Sequence, residues 1–264
     1  MASAKRGWFV TFEGGEGAGK TTQTRRLAKR LRDERGEQVL VTREPGGSLI
    51  GNAIRALLVS KAATHADMDE RLDALEMLHS SLGEGGAAES LFTAFQSLVL
   101  APGQIRSPMT EALLHFAART EHWEHHLEPM IRKYPWIICD RFADSTMAYQ
   151  GYAGGQDDAP GVGRERIEKL AEAAIPGVSP DLTFMMDIDP EIGLSRATSR
   201  DSDASSYEER DIAYHQRVRE GFLDIARREP ERCVVINADQ DEDAVAADIW
   251  DGVEAFLAAR TETA

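Results

Sequence analysis

Three observations predict an α/β fold, a parallel sheet covered by helices. Short apolar runs of strand length alternate with longer segments of helical period. The first of these runs ends in a glycine-rich turn that opens a helical pattern. And 264 residues, 42% hydrophobic and 28% charged, are enough for one domain with a sizeable core.

Taken in order, the apolar run Trp8 to Phe12 is the first strand and Thr21 to Arg35 the helix that follows it. Gln38 to Thr42 is the second strand, and Ser48 to Val59 the second helix. Residues 60–107 then break the rhythm, adding two helix-like stretches where a short connection is expected. Met68, Leu72, Leu75 and Leu78 share one face, Leu91, Phe92, Phe95, Leu98 and Val99 another, and Gly83 to Gly86 supplies the turn, which predicts an inserted helical hairpin. From Pro108 to Lys133, Leu113, Phe116, Ala117, Trp123, Leu127, Met130 and Ile131 recur at helical intervals, so this helix is amphipathic and packs on the sheet. Trp136 to Cys139 is the third strand, Arg164 to Ala174 a helix, Leu182 to Met186 the fourth strand and Pro190 to Ser199 a helix. A polar stretch at about 195–212 interrupts the helical pattern and predicts a lid that closes over the site to exclude water. Glu208 to Arg228, the strand Val234 to Ile236 and the helix Asp241 to Ala259 complete a single domain, 1–264.

Composition narrows the function. A formal charge of -15 repels nucleic acid polymers and anionic membranes. Cys139 and Cys233 lie in apolar runs without zinc or disulfide spacing, no stretch approaches the roughly 20 apolar residues of a membrane span, and the first residues lack a signal-peptide core. A soluble cytoplasmic protein is expected.

The most specific motif is Gly14-Gly15-Glu16-Gly17-Ala18-Gly19-Lys20-Thr21, with Thr22 next, a G-x-x-x-x-G-K-[ST] loop between strand and helix. Its glycines let backbone N–H groups curl around phosphates, Lys20 reaches the β- and γ-phosphates, and Thr21 ligates Mg²⁺, so ATP with Mg²⁺ is the expected ligand. No Asn-Lys-x-Asp is present to read guanine, and Asp158-Ala-Pro-Gly161 lies away from any strand end, which argues against a switch GTPase. Arg43 and Arg141 follow strands two and three and Arg55 lies one or two turns into the next helix, a clustering that predicts an acceptor carrying its own phosphate. Asp140 is placed to hold a magnesium-bound water. His122, His125 and His126 lack the spacing of a zincin and are read as a solvated helix face.

With Phe12-Glu-Gly-Gly-Glu-Gly-Ala-Gly-Lys-Thr-Thr22, Thr42-Arg-Glu-Pro-Gly-Gly47, Ala117-Ala-Arg119, Asp140-Arg-Phe-Ala-Asp-Ser-Thr146, Ala148-Tyr-Gln-Gly151 and Pro180 to Asp187 in this order, the chain resembles the bacterial thymidylate kinases. The resemblance implies a five-stranded parallel sheet with helices on both faces, usually in a homodimer, and transfer of the γ-phosphoryl group of ATP to dTMP. It also implies roles. Glu16 faces the sugar 3′-hydroxyl, Arg43, Arg55 and Arg141 surround the dTMP phosphate, and Arg119 and Thr146 bond the thymine edge with Gln150 nearby. Three features depart from the family pattern. His115 stands where the base-stacking phenylalanine usually lies, with Phe116 next to it, and either ring could stack. A glycine replaces an arginine after the Tyr-Gln-Gly segment, and residues 60–107 are inserted. Because the phosphate loop carries no basic residue at its variable positions, the transition-state arginine is expected from the lid, Arg200 first and Arg210 second. A kinase for another deoxynucleoside monophosphate such as dUMP, or a catalytically silent nucleotide-binding protein, are the alternatives.

Overall fold

The computed structural model describes residues 6–59, 107–154, 161–199, 207–208 and 210–261. The inserted hairpin, at 60–106, and most of the lid, Arg200 included, lie outside the described residues.

Five strands, β1 (Trp8–Gly14), β2 (Val39–Arg43), β3 (Trp136–Asp140), β4 (Leu182–Asp187) and β5 (Cys233–Asn237), form one sheet in the order β2-β3-β1-β4-β5. Every pairing is parallel. Strands β1, β3 and β4 are the central three and are buried almost throughout, so their sequences read as continuous apolar runs. β1 runs two residues further than its apolar stretch suggests because its pairing with β4 continues to Gly14 opposite Met186.

Helices cover both faces. On one, Val10, Phe12 and Phe184 pack against Leu27 and Leu31 of α1 (Lys20–Arg35) and against Ile249, Val253 and Phe256 of the last helix, α8 (Glu242–Thr261). On the other, Phe9, Ile137 and Cys139 meet Leu127 and Phe142, while Met185 meets Val218 and Phe222 of α7 (Ile212–Arg228). Between α1 and α7 in sequence come α2 (Leu49–Val59), α3 (Pro108–His122), α4 (Ala143–Thr146), α5 (Arg164–Ala174) and α6 (Pro190–Thr198).

Three stretches depart from the sequence reading. The helix expected to run unbroken from Pro108 to Lys133 widens into a π-turn at Trp123–Leu127 and ends by Met130. Ala143–Thr146 and a second π-turn, Met147–Tyr152, form helical structure that the small polar residues and glycine of this segment conceal. α7 begins at Ile212 rather than 208 because the Asp211 side chain caps it, accepting from the Tyr214 N–H at 2.6 Å.

Candidate active site

Strand register delivers the functional residues side by side. Phe12 of β1 lies opposite Asp140 of β3, and Asp140 opposite Arg43 of β2, so three strand ends present the glycine-rich loop, Asp140-Arg141 and Arg43-Glu44 along one edge. This is the carboxyl end of the parallel sheet, where crevices form in open α/β folds.

An open cleft lies there. Its wall includes Glu16 to Thr21, Arg43, Arg55, His115, Asp140, Arg141, Thr146 and Gln150. Of the residues expected around the ligands, Gly14, Gly15, Thr22, Phe116, Arg119 and Arg210 are not part of this wall. Gly14 and Gly15 still reach it through their carbonyls, which accept from Lys20 Nζ at 3.0 and 2.7 Å.

The loop itself is built by close backbone approach. Gly17 has φ 68°, and a Cβ there would sit 1.8 Å from the Gly193 carbonyl oxygen, so only glycine lets α6 press against the loop. Lys20 is buried, and burial followed by the nearby Arg141 charge pulls its ammonium down to about 8 against the attraction of Glu16. Thr21 Oγ1 donates to Asp140 Oδ2 at 2.5 Å, bringing together a hydroxyl and a carboxylate, the hard oxygen donors that suit Mg²⁺.

Arg141 is the one non-glycine residue with positive φ among the described residues, at 69°, a conformation that costs roughly 1–3 kcal/mol. Its neighbours hold it there: the Arg141 N–H donates to Phe12 O at 2.9 Å, and the next N–H, of Phe142, to Glu13 Oε1 at 2.6 Å. The guanidinium then reaches Gly14 O, Ser145 Oγ, Glu16 Oε1 and Tyr149 OH at 3.0 to 3.3 Å. Burial alone would raise the Glu16 carboxyl, but Arg141 and Lys20 hold it down to about 2. Glu13 goes the other way. Fully buried and close to Asp144, it is pushed up to about 7.

A second network supports the far wall. Arg119, 2% exposed, donates from Nε to Glu44 Oε2 at 2.7 Å and from Nη2 to Phe142 O and Thr146 Oγ1 at 2.9 and 3.0 Å. His122 bonds Glu44 Oε1 through Nδ1 at 2.9 Å and Thr42 Oγ1 through Nε2 at 2.8 Å. The reading of this histidine as part of a solvated face is therefore corrected: His125 and His126 are exposed, but His122 is completely buried, because a half-turn of α3 faces the Thr42 to Gly47 loop. A Cβ on Gly47 would fall 2.3 Å from its ring, so glycine is needed for this contact.

His115 lines the cavity and bonds Tyr207 OH at 3.1 Å, whereas Phe116 packs with Ala112, Val162 and Ile167 in the core. Arg210 pairs with Glu111 at 3.5 Å and lies over the Tyr214 ring. Glu13, Glu44, Tyr149 and Tyr207 received no role from the sequence. A charged residue at the end of an otherwise apolar strand was the available signal for Glu13.

The sequence profile of the thymidylate kinase family matches residues 12–77 and 93–249. A thymidylate kinase of Caulobacter vibrioides is 44% identical over 248 residues, 94% of this chain and 96% of that protein. One of Magnetococcus marinus is 36% identical over 249 residues. The crystal structure of thymidylate kinase from Ehrlichia chaffeensis, 29% identical, superposes with a TM-score of 0.61 over 95% of this chain and 99% of that one. Sequence, fold and phosphate loop agree, and the chain belongs to the thymidylate kinase family.

Proposed function

We propose that this protein transfers the γ-phosphoryl group of ATP to dTMP, giving dTDP and ADP. The observation that carries the choice of acceptor is a pair of buried polar atoms without hydrogen-bond partners among the described residues, Arg119 Nη1 and Gln150 Oε1. Gln150 lines the cavity, and Arg119 is bonded to its lining residue Thr146. A donor and an acceptor left unsatisfied in a protein interior await a ligand, and the thymine edge offers the complementary O4 acceptor and N3–H donor.

The phosphates would meet Lys20, Arg43, Arg55 and Arg141, all in the same wall. Glu16, ionised and fixed by Arg141 and Tyr149, is an acceptor suited to the sugar 3′-hydroxyl. His115 is the ring available for stacking on the base, since Phe116 is committed to the core. Thr21 and Asp140 would hold Mg²⁺, directly or through water, an ion that neutralises phosphate charge when bound. Because the acceptor is already an anion, no general base is required, and these residues act by aligning the two phosphates and offsetting their repulsion. Arg200, with Arg210 as second choice, would bring a further positive charge when the lid closes. Leu49, Ile50 and Leu113, each about half exposed on α2 and α3, are apolar residues that a homodimer would cover.

A coupled assay offering dTMP, dUMP, dCMP, dGMP and AMP with Mg·ATP tests this. dTMP is expected to be the preferred substrate, with dUMP poorer by the roughly 1 kcal/mol that burial of one methyl group contributes. No turnover of dTMP would overturn the proposal.

A further inference from the structure

A glutamine that reads a base can present either end of its amide, and the two ends select different bases. In this protein the Gln150 side chain is fully buried, and its Nε2 donates to Glu111 Oε2 at 3.3 Å and to Tyr207 OH at 3.2 Å. Its Oε1 has no hydrogen-bond partner among the described residues. We propose that Glu111 and Tyr207 are positioning residues that fix the Gln150 amide with its oxygen toward the ligand, so that the site accepts a pyrimidine bearing an N3–H and rejects cytosine.

Three steps lead there. First, Glu111 is paired with Arg210 at 3.5 Å, and an ionised carboxylate only accepts hydrogen bonds. The amide end beside it must therefore be the NH₂. Turning the amide over would set Oε1 against the carboxylate, losing a bond and opposing two acceptors where little water screens them. Secondly, Tyr207 OH accepts from the same Nε2 and pairs with His115 Nε2 at 3.1 Å; in the tautomer whose Nε2 accepts the phenol proton, Tyr207 can only accept from the amide and adds to the preference. Thirdly, Gln150 lies in the cavity wall, and with Nε2 engaged the atom left for a ligand is Oε1. Thymine and uracil donate N3–H to it. Cytosine presents a lone pair at N3, which would oppose the Gln150 Oε1 acceptor. A site built from buried, oriented polar groups rejects a mismatched ligand far more strongly than an apolar one does.

The inference rests on the dTMP reading above, and the experiment separates the two. Wild-type protein, Glu111→Gln, Tyr207→Phe and Gln150→Leu are compared for kcat/KM with dTMP and dCMP, with dCMP affinity also read by competition against dTMP. A glutamine at 111 can donate as well as accept, so it permits the turned amide. Glu111→Gln should lower the dTMP/dCMP ratio about tenfold or more, partly by a gain toward dCMP, with KM for ATP within about twofold of wild type. Tyr207→Phe should lower it about threefold through loss of one neutral hydrogen bond. A purely structural role for either residue would reduce both substrates in parallel, and an unchanged ratio in the two variants overturns the proposal. Should Glu111→Gln not fold, the ratio in Tyr207→Phe decides by itself. An unchanged ratio in Gln150→Leu also overturns it, by removing the reader. Absence of dTMP turnover in the wild type is the different result that defeats the underlying reading.

Discussion

Glu44→Gln tests whether the far wall of the site is held by charge. Glu44 and Arg119 are each 2% exposed and meet at 2.7 Å, so the substitution leaves a guanidinium in the interior without its counter-ion. Removing one partner of a buried pair costs roughly 3–5 kcal/mol, and the lower end applies because other acceptors remain. Phe142 O and Thr146 Oγ1 still accept from Arg119. We therefore expect a loss of about 3 kcal/mol in urea unfolding at neutral pH. The same substitution loosens the loop that carries Arg43 and, through Pro45 O and Arg55 Nη1 at 3.1 Å, the next arginine. KM for dTMP should rise about tenfold, equivalent to roughly 1.4 kcal/mol, while KM for ATP changes little. A double-mutant cycle with Arg119→Met isolates the pair, with an expected coupling of about 2 kcal/mol. A cost below about 1 kcal/mol, or independent effects of the two substitutions, would show that the pair is not what organises this wall.

Three further outcomes are expected. Glu13 is pushed up to about 7 by burial and by Asp144, so the native protein binds the extra proton between about 4.5 and 7. Its contribution to stability therefore falls as pH rises through that window. Glu13→Gln should remove up to about 3 kcal/mol of that fall in pH-dependent urea unfolding, and identical slopes would refute it. Lys20 lies near 8 when burial and Arg141 act on it without a polyphosphate nearby. Calorimetry of ATP binding at pH 8 in buffers of different ionisation enthalpy should reveal uptake of a fraction of a proton, and Lys20→Met should abolish it. Phe116→Ala, in the core, should lower stability by about 3 kcal/mol, whereas His115→Ala should mainly weaken dTMP binding in titrations. The opposite pattern would exchange the two rings.

What the sequence made legible follows from the range of the interactions involved. Strands, helices and phosphate loop were readable because each is specified locally, by apolar runs, by helical spacing and by glycines at fixed intervals. Arg43 and Arg141 were readable because residues at or just after the ends of strands in a parallel sheet gather at one edge. Local pattern could not show that His122 turns inward, because that depends on a loop whose Glu44, its bonding partner, is 78 residues away in sequence. Nor could it assign Glu13, whose partners Phe142 and Ser145 arrive from the turn after β3 and from α4 only once the sheet is assembled. Between His115 and Phe116 the pattern left both rings open, since neighbouring helical residues differ by about 100° and only the packed partner decides which one faces the core.

A chain with a formal charge of -15 must still gather two polyanions, and the structure shows how charge is arranged to allow it. At physiological salt, charges more than about 8 Å apart across solvent are largely screened, so the acidic exterior acts weakly on a ligand already in the crevice. Inside, Lys20, Arg43, Arg55 and Arg141 share one wall. Before any phosphate arrives, Lys20 is held by two loop carbonyls and Arg141 by a carbonyl, two hydroxyls and Glu16. In the reading proposed above, incoming phosphate oxygens would exchange for partners that already orient these cations, leaving little rearrangement for the reaction itself. The cost falls on stability. Arg141 keeps a left-handed backbone, and the carboxyl that secures the following N–H, Glu13, is buried deeply enough to resist ionisation. Glu13 accepts from the Phe142 N–H and Ser145 Oγ while burial disfavours its charge, as expected where a site's geometry is imposed by the fold rather than preferred by the residues themselves.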